Sequence, residues 1–314
     1  MGMIGISRTL IRESMKNVLF LLLFLFLLCG CDWQRRQPSS TGQPFEVVLE
    51  GDTDSVVTKL LTVDVPALPQ SEPMFNLIQV RKGKASSLYQ AIRNRVVVDV
   101  DGRHAGFGVE VVRNVYASPQ CVISIKAQTL EQLKHRLNGE KLRRLLERSE
   151  LQYLASITRQ NPEKQKEVRR LFGVDMKVPL DMGASKKGKN FVWYSNNANT
   201  GMQNLLVFKA SEKADIDSVL KKNILGETDD MYMQLYSLEH NAMQKNTLQG
   251  LWEMMGDAMG GPYVMKILPR GHEQVVIIGF VYAPEMKKRN LTKQLEAVLM
   301  TARVVSNGVK TADN

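Results

Sequence analysis

Cys31 has the clearest potential for covalent chemistry, because the sequence before it predicts a lipoprotein signal. An uninterrupted apolar run extends from Val18 to Leu28, and Leu28 and Gly30 occupy positions −3 and −1 relative to Cys31. A basic start, a short apolar run and a small residue before the cut are typical of secretory signals. We therefore expect removal of residues 1–30 as a signal peptide and acylation of the Cys31 thiol by palmitate or related chains.

The alternative for this segment is an ordinary membrane-spanning anchor. The apolar run is shorter than the roughly 20 residues that a bilayer core requires. Met15 directly precedes the run and is a second candidate for the translation start besides Met1. After Cys31, the Pro- and Ser-containing residues 31–44 are typical of a flexible tether. We expect a lipid anchor in the inner or outer membrane, with the body facing the periplasm.

Three carboxylates stand close together at Glu227, Asp229 and Asp230. Paired carboxylates serve glycoside hydrolysis and cation binding, but adjacent aspartates are more commonly solvated turn residues. The four histidines are scattered, and no phosphate loop, nucleophile elbow or metal-spaced cluster is present in the sequence. The sequence therefore predicts no metal and no cofactor, and a hydrolase acting on envelope glycans or peptides remains an alternative function.

The best candidate for a binding surface is the Met- and Trp-containing segment that ends in Gly260-Gly261-Pro262-Tyr263. Tryptophan and tyrosine are frequent interface anchors, and methionines adapt to varied partners. In the alternative interpretation, a helix over residues 248–259 directs its Trp and Met side chains into the core. The candidate binding residues are Trp252, Met255, Met259, Gly260, Gly261 and Tyr263. Cys121 lies in an apolar strand-like run and is interpreted as a small core residue.

The formal net charge of +10 indicates anionic partners. Export makes nucleic acid an unlikely partner, so we expect none. A basic body beside a membrane faces anionic lipid headgroups or acidic glycans, although a solvated charged surface explains the same balance. An envelope protein is the other candidate partner.

The order of the predicted elements indicates an α+β fold with two lobes of similar sequential pattern. Each lobe is expected to hold an antiparallel sheet with helices on one face. Residues 45–180 form the N-terminal lobe, which includes a helical arm over residues 129–173 that links the two lobes. Residues 190–305 form the C-terminal lobe, and residues 306–314 are expected to be a disordered tail.

Several short motifs in the second half resemble one family. They are Asn190-Phe191-Val192-Trp193, Gly250-Leu251-Trp252-Glu253, Met259-Gly260-Gly261-Pro262-Tyr263 and Gly279-Phe280-Val281-Tyr282-Ala283-Pro284, followed by Gln294-Leu295-Glu296-Ala297. The chain resembles the Bacteroidota lipoproteins of domain of unknown function 4837, most densely from Asn190 onward. The resemblance implies an envelope lipoprotein and brings no activity or catalytic residues.

These observations together predict a membrane-anchored binding or adaptor protein. The prediction depends on the anchor signal, the tether and the candidate surface around Trp252. A hydrolase that uses Asp229 or Asp230 and a structural envelope scaffold are the alternatives. A pocket that holds carboxylates of raised pKa would distinguish these two alternatives, because a hydrolase requires such a pocket and a scaffold does not.

Overall fold

The computed structural model describes residues 37–211, 216–228, 230–240 and 246–305. The chain divides into two units, Met1–Pro38 and Ser39–Asn314. Only the last two residues of the first unit are described, so the predicted signal peptide, Cys31 and the start of the tether lie outside the described residues. The predicted tail 306–314 also lies outside them. Every element given below belongs to the second unit.

Seven helices and fourteen strands occur within the described residues. The helices are α1 Val56–Leu61, α2 Ser87–Gln90, α3 Leu130–Arg136, α4 Gly139–Ile157, α5 Pro162–Phe172, α6 Ile216–Asn223 and α7 Arg289–Met300. The strands are β1 Glu46–Glu50, β2 Asn76–Val80, β3 Asn94–Val100, β4 Gly108–Arg113, β5 Cys121–Ala127, β6 Val174–Asp175, β7 Ala184–Gly188, β8 Phe191–Ser195, β9 Met202–Ser211, β10 Tyr232–His240, β11 Thr247–Met255, β12 Gly260–Arg270, β13 Glu273–Tyr282 and β14 Arg303–Val304.

The N-terminal sheet is mostly parallel, in the order β2-β1-β3-β5-β4. β1 pairs in parallel with β2 and β3, and β3 pairs in parallel with β5. Only the β4–β5 pair is antiparallel. The expectation of an antiparallel sheet in this lobe is therefore wrong. Strand β4 lies at the edge of the sheet beside β5, so β5 pairs directly with β3. Long connections return the chain to the same end of the sheet before β2 and β3, and these strands therefore run parallel to β1.

Helices cover one face of the N-terminal sheet, as expected. Val47, Val96 and Ile123 on the strands pack with Leu61 of α1 and Leu146 of α4 in a single buried cluster. Cys121 belongs to this cluster and is fully buried, and desolvation raises the pKa of its thiol. The residues that face this cluster recur at every second position, as Val96 and Val98 do in β3 and Ile123 and Ile125 do in β5.

The C-terminal sheet is antiparallel, in the order β10-β11-β12-β13-β9-β8-β7. Leu205 and Val207 of β9 pack in one core with α5 and α7. Leu206 of β9 packs in a second core with Leu220 of α6. Helices therefore lie on both faces of this sheet, and the expectation of one helical face is wrong for this lobe. Four consecutive residues in the middle of each of these two strands are apolar and buried, Leu205–Phe208 in β9 and Val275–Ile278 in β13, so both faces of the strands are buried there.

The predicted similarity between the two lobes does not extend to topology, because the sheets differ in strand direction and in strand number. The helical arm is divided between them. Helices α3 and α4 contribute to the N-terminal core, whereas Val168 and Phe172 of α5 lie in the core of the C-terminal sheet. The arm is also broken before Gly139, because the Asn138 side chain caps a new helix by accepting from the N–H of Lys141.

The two lobes meet where α4 packs against α7. Lys293 of α7 is buried between two carboxylates: it bonds Glu147 of α4 and, at 2.8 Å, Glu296 of its own helix. Glu72, from the connection before β2, accepts from the backbone N–H of Lys288 at 2.6 Å and so caps the start of α7. These contacts fix the first turns of α7 against the N-terminal half.

Candidate functional site

A groove of about 540 Å³ lies beside the β11–β12 hairpin. One wall is the hairpin itself, from Leu251 to Gly261. The opposite wall comes from Tyr282 and the start of α7, and from Pro69 in the Pro-rich connection of the N-terminal half. We call this site the Trp252 groove. Its volume lies within the range of about 300–1,000 Å³ that is usual for ligand sites.

Trp252 is held in the wall of the groove by a hydrogen bond across the sheet. Its indole Nε1 donates to the carbonyl oxygen of Val281 at 3.1 Å. The last paired residues of β12 and β13 are Tyr263 and Phe280, and Pro262 beside them has no N–H to donate. The indole therefore satisfies a carbonyl that the proline leaves without a backbone donor.

Gly261 makes this arrangement sterically feasible. A Cβ atom at this position would lie 2.1 Å from the carbonyl oxygen of Val281 and 3.2 Å from Nε1 of Trp252. Only glycine leaves the space through which the indole reaches β13. The sequence Gly260-Gly261-Pro262, which would end a helix in the alternative interpretation of residues 248–259, instead begins strand β12. The helix over residues 248–259 is not formed, because β11 pairs with both β10 and β12.

Aromatic rings surround Trp252. Its ring lies 5.0 Å from that of Phe280 in an edge-to-face arrangement and 6.4 Å from that of Tyr282. Tyr236 lies at the rim with 36% of its surface exposed, and a hydrogen bond with Glu253 raises the pKa of its hydroxyl. These rings give the groove a rigid apolar floor with polar edges.

The charged side chains of the groove are mostly acidic. Glu253, Asp257 and Glu285 line it and are exposed, and Lys288 is the cation among the lining residues. Nζ of Lys288 donates to the carbonyl oxygen of Met286 at 2.8 Å. The groove is therefore negative on a protein whose formal net charge is +10.

The structure brings four of the six predicted binding residues to the groove: Trp252, Met259, Gly260 and Gly261. Met255 is half-buried near the rim, where its sulfur lies 3.4 Å from the Tyr236 hydroxyl oxygen. Tyr263 is fully buried in the core, and its hydroxyl has no hydrogen-bond partner among the described residues. Burial raises the pKa of that hydroxyl.

Sequence reasoning missed the residues that give the groove its charge. Glu253 and Pro284 occur in the motifs that carry the family resemblance, so part of the signal was present. Asp257 belongs to the turn that was interpreted as helix. Pro69 lies in a Pro-rich connection, and no local signal indicates its approach to β11, because the two segments are far apart along the chain.

The other candidates for chemistry lie elsewhere. Asp229 is outside the described residues. Asp230 is exposed on a turn, and the hydroxyl of Thr228 donates to its Oδ1 at 2.5 Å, which lowers the pKa of this carboxyl. A general acid needs the opposite shift. Within the described ranges, no group of three His, Cys, Asp or Glu side chains is placed to hold a metal ion.

A second cleft, of about 460 Å³, lies between the end of α4, the loop before β7 and α7. Its lining includes the apolar residues Ile157, Leu180 and Leu295, and its polar members are Thr158, Arg159, Asp181, Gln203 and Gln294. Gln203 is already engaged, because its amide donates to Gln294 at 3.1 Å and to the carbonyl oxygen of Leu291. We therefore regard the Trp252 groove as the better candidate. No helix among the described residues has the length and apolar character to cross a membrane.

Comparisons with known proteins divide the chain in two. The family described as Domain of unknown function (DUF4837) matches residues 161–301, and the family described as Domain of unknown function (DUF8532) matches residues 40–159. No curated protein matches. Among solved structures, the chain is similar to a crystal structure from Bacteroides thetaiotaomicron VPI-5482, with 17% identity and a TM-score of 0.26. That match covers 43% of this chain and 46% of the other.

The expected resemblance to domain of unknown function 4837 is thus confirmed for residues 161–301, whereas residues 40–159 match a different family. The division falls between α4 and α5, where the two cores separate. The chain therefore carries a DUF8532 match over the N-terminal sheet with α1 to α4, and a DUF4837 match over the C-terminal sheet with α5 to α7.

Proposed function

We propose that this protein is a lipid-anchored binding or adaptor protein of the cell envelope. In this proposal Cys31 carries the anchor, the body faces the periplasm, and the Trp252 groove receives a partner. The sequence signal around Cys31 supports the anchor. The shape and charge of the groove support the binding role.

The observation that carries the proposal is an aromatic groove with exposed carboxylates on a basic protein. Lysine and arginine side chains bind well at such sites, because carboxylates attract them and aromatic faces stabilise cations. Anionic lipids and acidic glycans would be repelled from the same groove. We therefore infer that the partner presents a basic segment of an envelope protein.

The geometry gives less support to a hydrolase. The carboxylates of the groove are exposed, and Asp230 has a lowered pKa. Catalysis of glycoside hydrolysis needs one carboxylic acid whose pKa is raised. A purely structural scaffold would not need a groove at all.

Site-specific photocrosslinking in the native cells tests the binding role. A photoreactive amino acid replaces Ala258, which is exposed in the turn of the groove. We expect it to capture one recurrent envelope protein through a lysine- or arginine-rich segment. The triple variant Glu253→Gln, Asp257→Asn, Glu285→Gln should lose that product.

The matched control is the triple variant Glu110→Gln, Glu140→Gln, Glu163→Gln, which removes three exposed carboxylates elsewhere. It should keep the crosslinked product. Equal capture by both triple variants, or no capture at Ala258, would contradict the binding role of the groove. The anchor is tested separately, because Cys31→Ser should release the protein from the membrane fraction.

A further inference from the structure

The polypeptide enters the folded body at one end of the N-terminal sheet. Ser40 N–H donates to the carbonyl oxygen of Ser118 at 3.1 Å, and Thr41 N–H donates to that of Ala91 at 2.9 Å. Arg93 N–H then donates to the carbonyl oxygen of Thr41 at 3.0 Å. Residues 39–41 thus lie against the segments that lead into β3 and β5. We call this end of the sheet the entry end.

The entry end is close to Cys31 along the chain. Ser39 follows Cys31 by eight residues. An extended chain spans at most about 3.6 Å per residue, so the two are separated by no more than about 29 Å. A lipid anchor at Cys31 therefore holds the entry end within that distance of the membrane surface, whereas the opposite end of the sheet has no such restraint.

The entry end exposes apolar side chains. Leu88 of α2 is 67% exposed, and Val115 and Tyr116 in the turn before β5 are 40% and 44% exposed. The buried side chain of Gln120 connects these two segments. Its amide nitrogen donates to the carbonyl oxygen of Gln90 at 2.6 Å, and its Oε1 accepts from the backbone N–H of Tyr116 at 2.9 Å.

The charges around this patch suit an acidic surface. Arg113 is exposed at the end of β4, next to Val115 and Tyr116. The sequence between Cys31 and Ser39 contributes Arg35 and Arg36 and one carboxylate. Lys and Arg side chains near an anionic membrane are attracted to its acidic headgroups. Tyrosine is favoured at the headgroup level because it has an apolar ring and a polar tip.

We propose that the entry end docks on the surface of the membrane that holds the Cys31 anchor. Leu88, Val115 and Tyr116 enter the headgroup region, and Arg113 faces acidic headgroups. The inference rests on the proposed lipid anchor. It also gives the body an orientation, because the end of the sheet that holds the Asp101–Arg103 turn then points away from the membrane.

The test uses the full mature, lipidated protein in vesicles of phosphatidylethanolamine with or without phosphatidylglycerol. A polarity-sensitive dye is attached to Leu88→Cys and, as the matched control, to Arg103→Cys in the turn at the opposite end. Cys121 is fully buried and stays unlabelled. We expect a blue shift of the dye at position 88, and loss of its emission when the vesicles contain nitroxide-labelled lipid. The dye at position 103 should show neither effect.

The outcomes separate the two proposals. If the protein does not float with the vesicles and its mass shows no acyl chains, the anchor itself is wrong. If it floats but the dyes at positions 88 and 103 behave alike, the anchor stands and the docking inference fails. Shielding of position 88 in cells but not in vesicles would also overturn the inference, because it would show that a protein covers the patch. Quenching that requires phosphatidylglycerol would support the role of Arg113.

Discussion

The two sheets of this protein reverse the usual relation between strand direction and the number of faces that are covered. Parallel sheets are normally covered on both faces, and antiparallel sheets often leave one face to water. Here the mostly parallel N-terminal sheet has one helical face, whereas the antiparallel C-terminal sheet is buried between two cores. The comparison shows that the side chains on each face, rather than strand direction, determine which faces are covered.

Ion pairs occupy the outer face of the N-terminal sheet. Arg95 of β3 bonds Glu50 of β1 at 3.0 Å, and both are buried. Asp99 on the same face of β3 bonds Lys82. In the C-terminal sheet, the second face is instead covered by a core of apolar residues that includes Phe208 and Ile278. One sheet therefore depends on paired charges beside a single core, and the other depends on apolar burial on both faces.

The largest expected effect is at the junction of the two lobes. Lys293→Met leaves Glu147 and Glu296 buried without their cation, and removal of one partner from a buried ion pair costs about 3–5 kcal/mol. Desolvation already raises the pKa of Glu147. Its pKa rises further in the variant, so stability should increase as the pH falls and the carboxyls are protonated. Urea unfolding at neutral and acidic pH measures both effects.

The control for this variant adds Glu147→Gln and Glu296→Gln to Lys293→Met. It removes the buried charges together and should recover part of the lost stability. A single variant as stable as the wild type at neutral pH would show that the junction does not depend on this network.

A matched pair of isoleucine substitutions sharpens the comparison between the sheets. Ile278→Ala, on β13, opens a cavity in a fully buried core and should cost about 2–5 kcal/mol. Ile78→Ala, on the outer face of β2, removes a half-buried side chain and should cost clearly less. Chemical unfolding of the two variants measures the difference. Equal losses would mean that the outer face of the N-terminal sheet is as well packed as the C-terminal core.

A smaller effect is expected in the wall of the Trp252 groove. Trp252→Phe keeps an aromatic ring but leaves the carbonyl of Val281 without its donor, which costs about 1–3 kcal/mol for a buried group. Thermal unfolding measures the loss, and Tyr236→Phe provides the control, because it removes a hydroxyl at the exposed rim of the same groove. A loss at Trp252 no greater than that at Tyr236 would contradict the role assigned to the cross-sheet hydrogen bond.

The smallest effect concerns the ion pair on the β6–β14 ladder, which is more exposed than the pairs on the N-terminal sheet. Arg303 bonds Asp175 at 2.9 Å, and hydrogen bonds from Arg303 and Gln165 lower the pKa of Asp175 from its ordinary value of 3.8. The resulting stabilisation is complete above that value and is lost as the pH falls through the lowered pKa. It should be below about 1 kcal/mol, because Arg303 is largely exposed.

Comparison of Asp175→Asn with the wild type across acidic pH measures this contribution. The difference in unfolding free energy should be largest at neutral pH and should vanish in strong acid. A difference that is independent of pH would show that the carboxylate charge does not contribute.

Local signals were sufficient to predict several elements. Helix α5 begins at Pro162 and ends before Gly173, which adopts a positive φ of 63°, as proline and glycine at those positions indicate. Thr129 caps α3 as its spacing to Gln132 predicts. The parallel pairing of β3 with β5 was not predictable, because the alternation of apolar residues in a half-buried strand is the same for either direction.

The candidate site was predictable only in part. Trp252 and Gly261 were identified from their residue types, but the spacing of Trp252, Met255 and Met259 matched a helix by coincidence. The actual β11–β12 turn depends on pairing across the strands. The acidic character of the groove required knowledge of which distant segments meet, since Glu285 and Pro69 approach β11 only in the folded protein.

The division between the two family matches at residue 160 gives the junction an evolutionary consequence. Glu147 and Glu72 belong to the segment that matches one family, and Lys293 and the start of α7 belong to the segment that matches the other. If either segment were replaced by an unrelated one, a buried charge or a helix terminus in the other segment would lose its partner. We therefore expect that exchange of one half alone lowers stability unless the junction residues of the other half change with it.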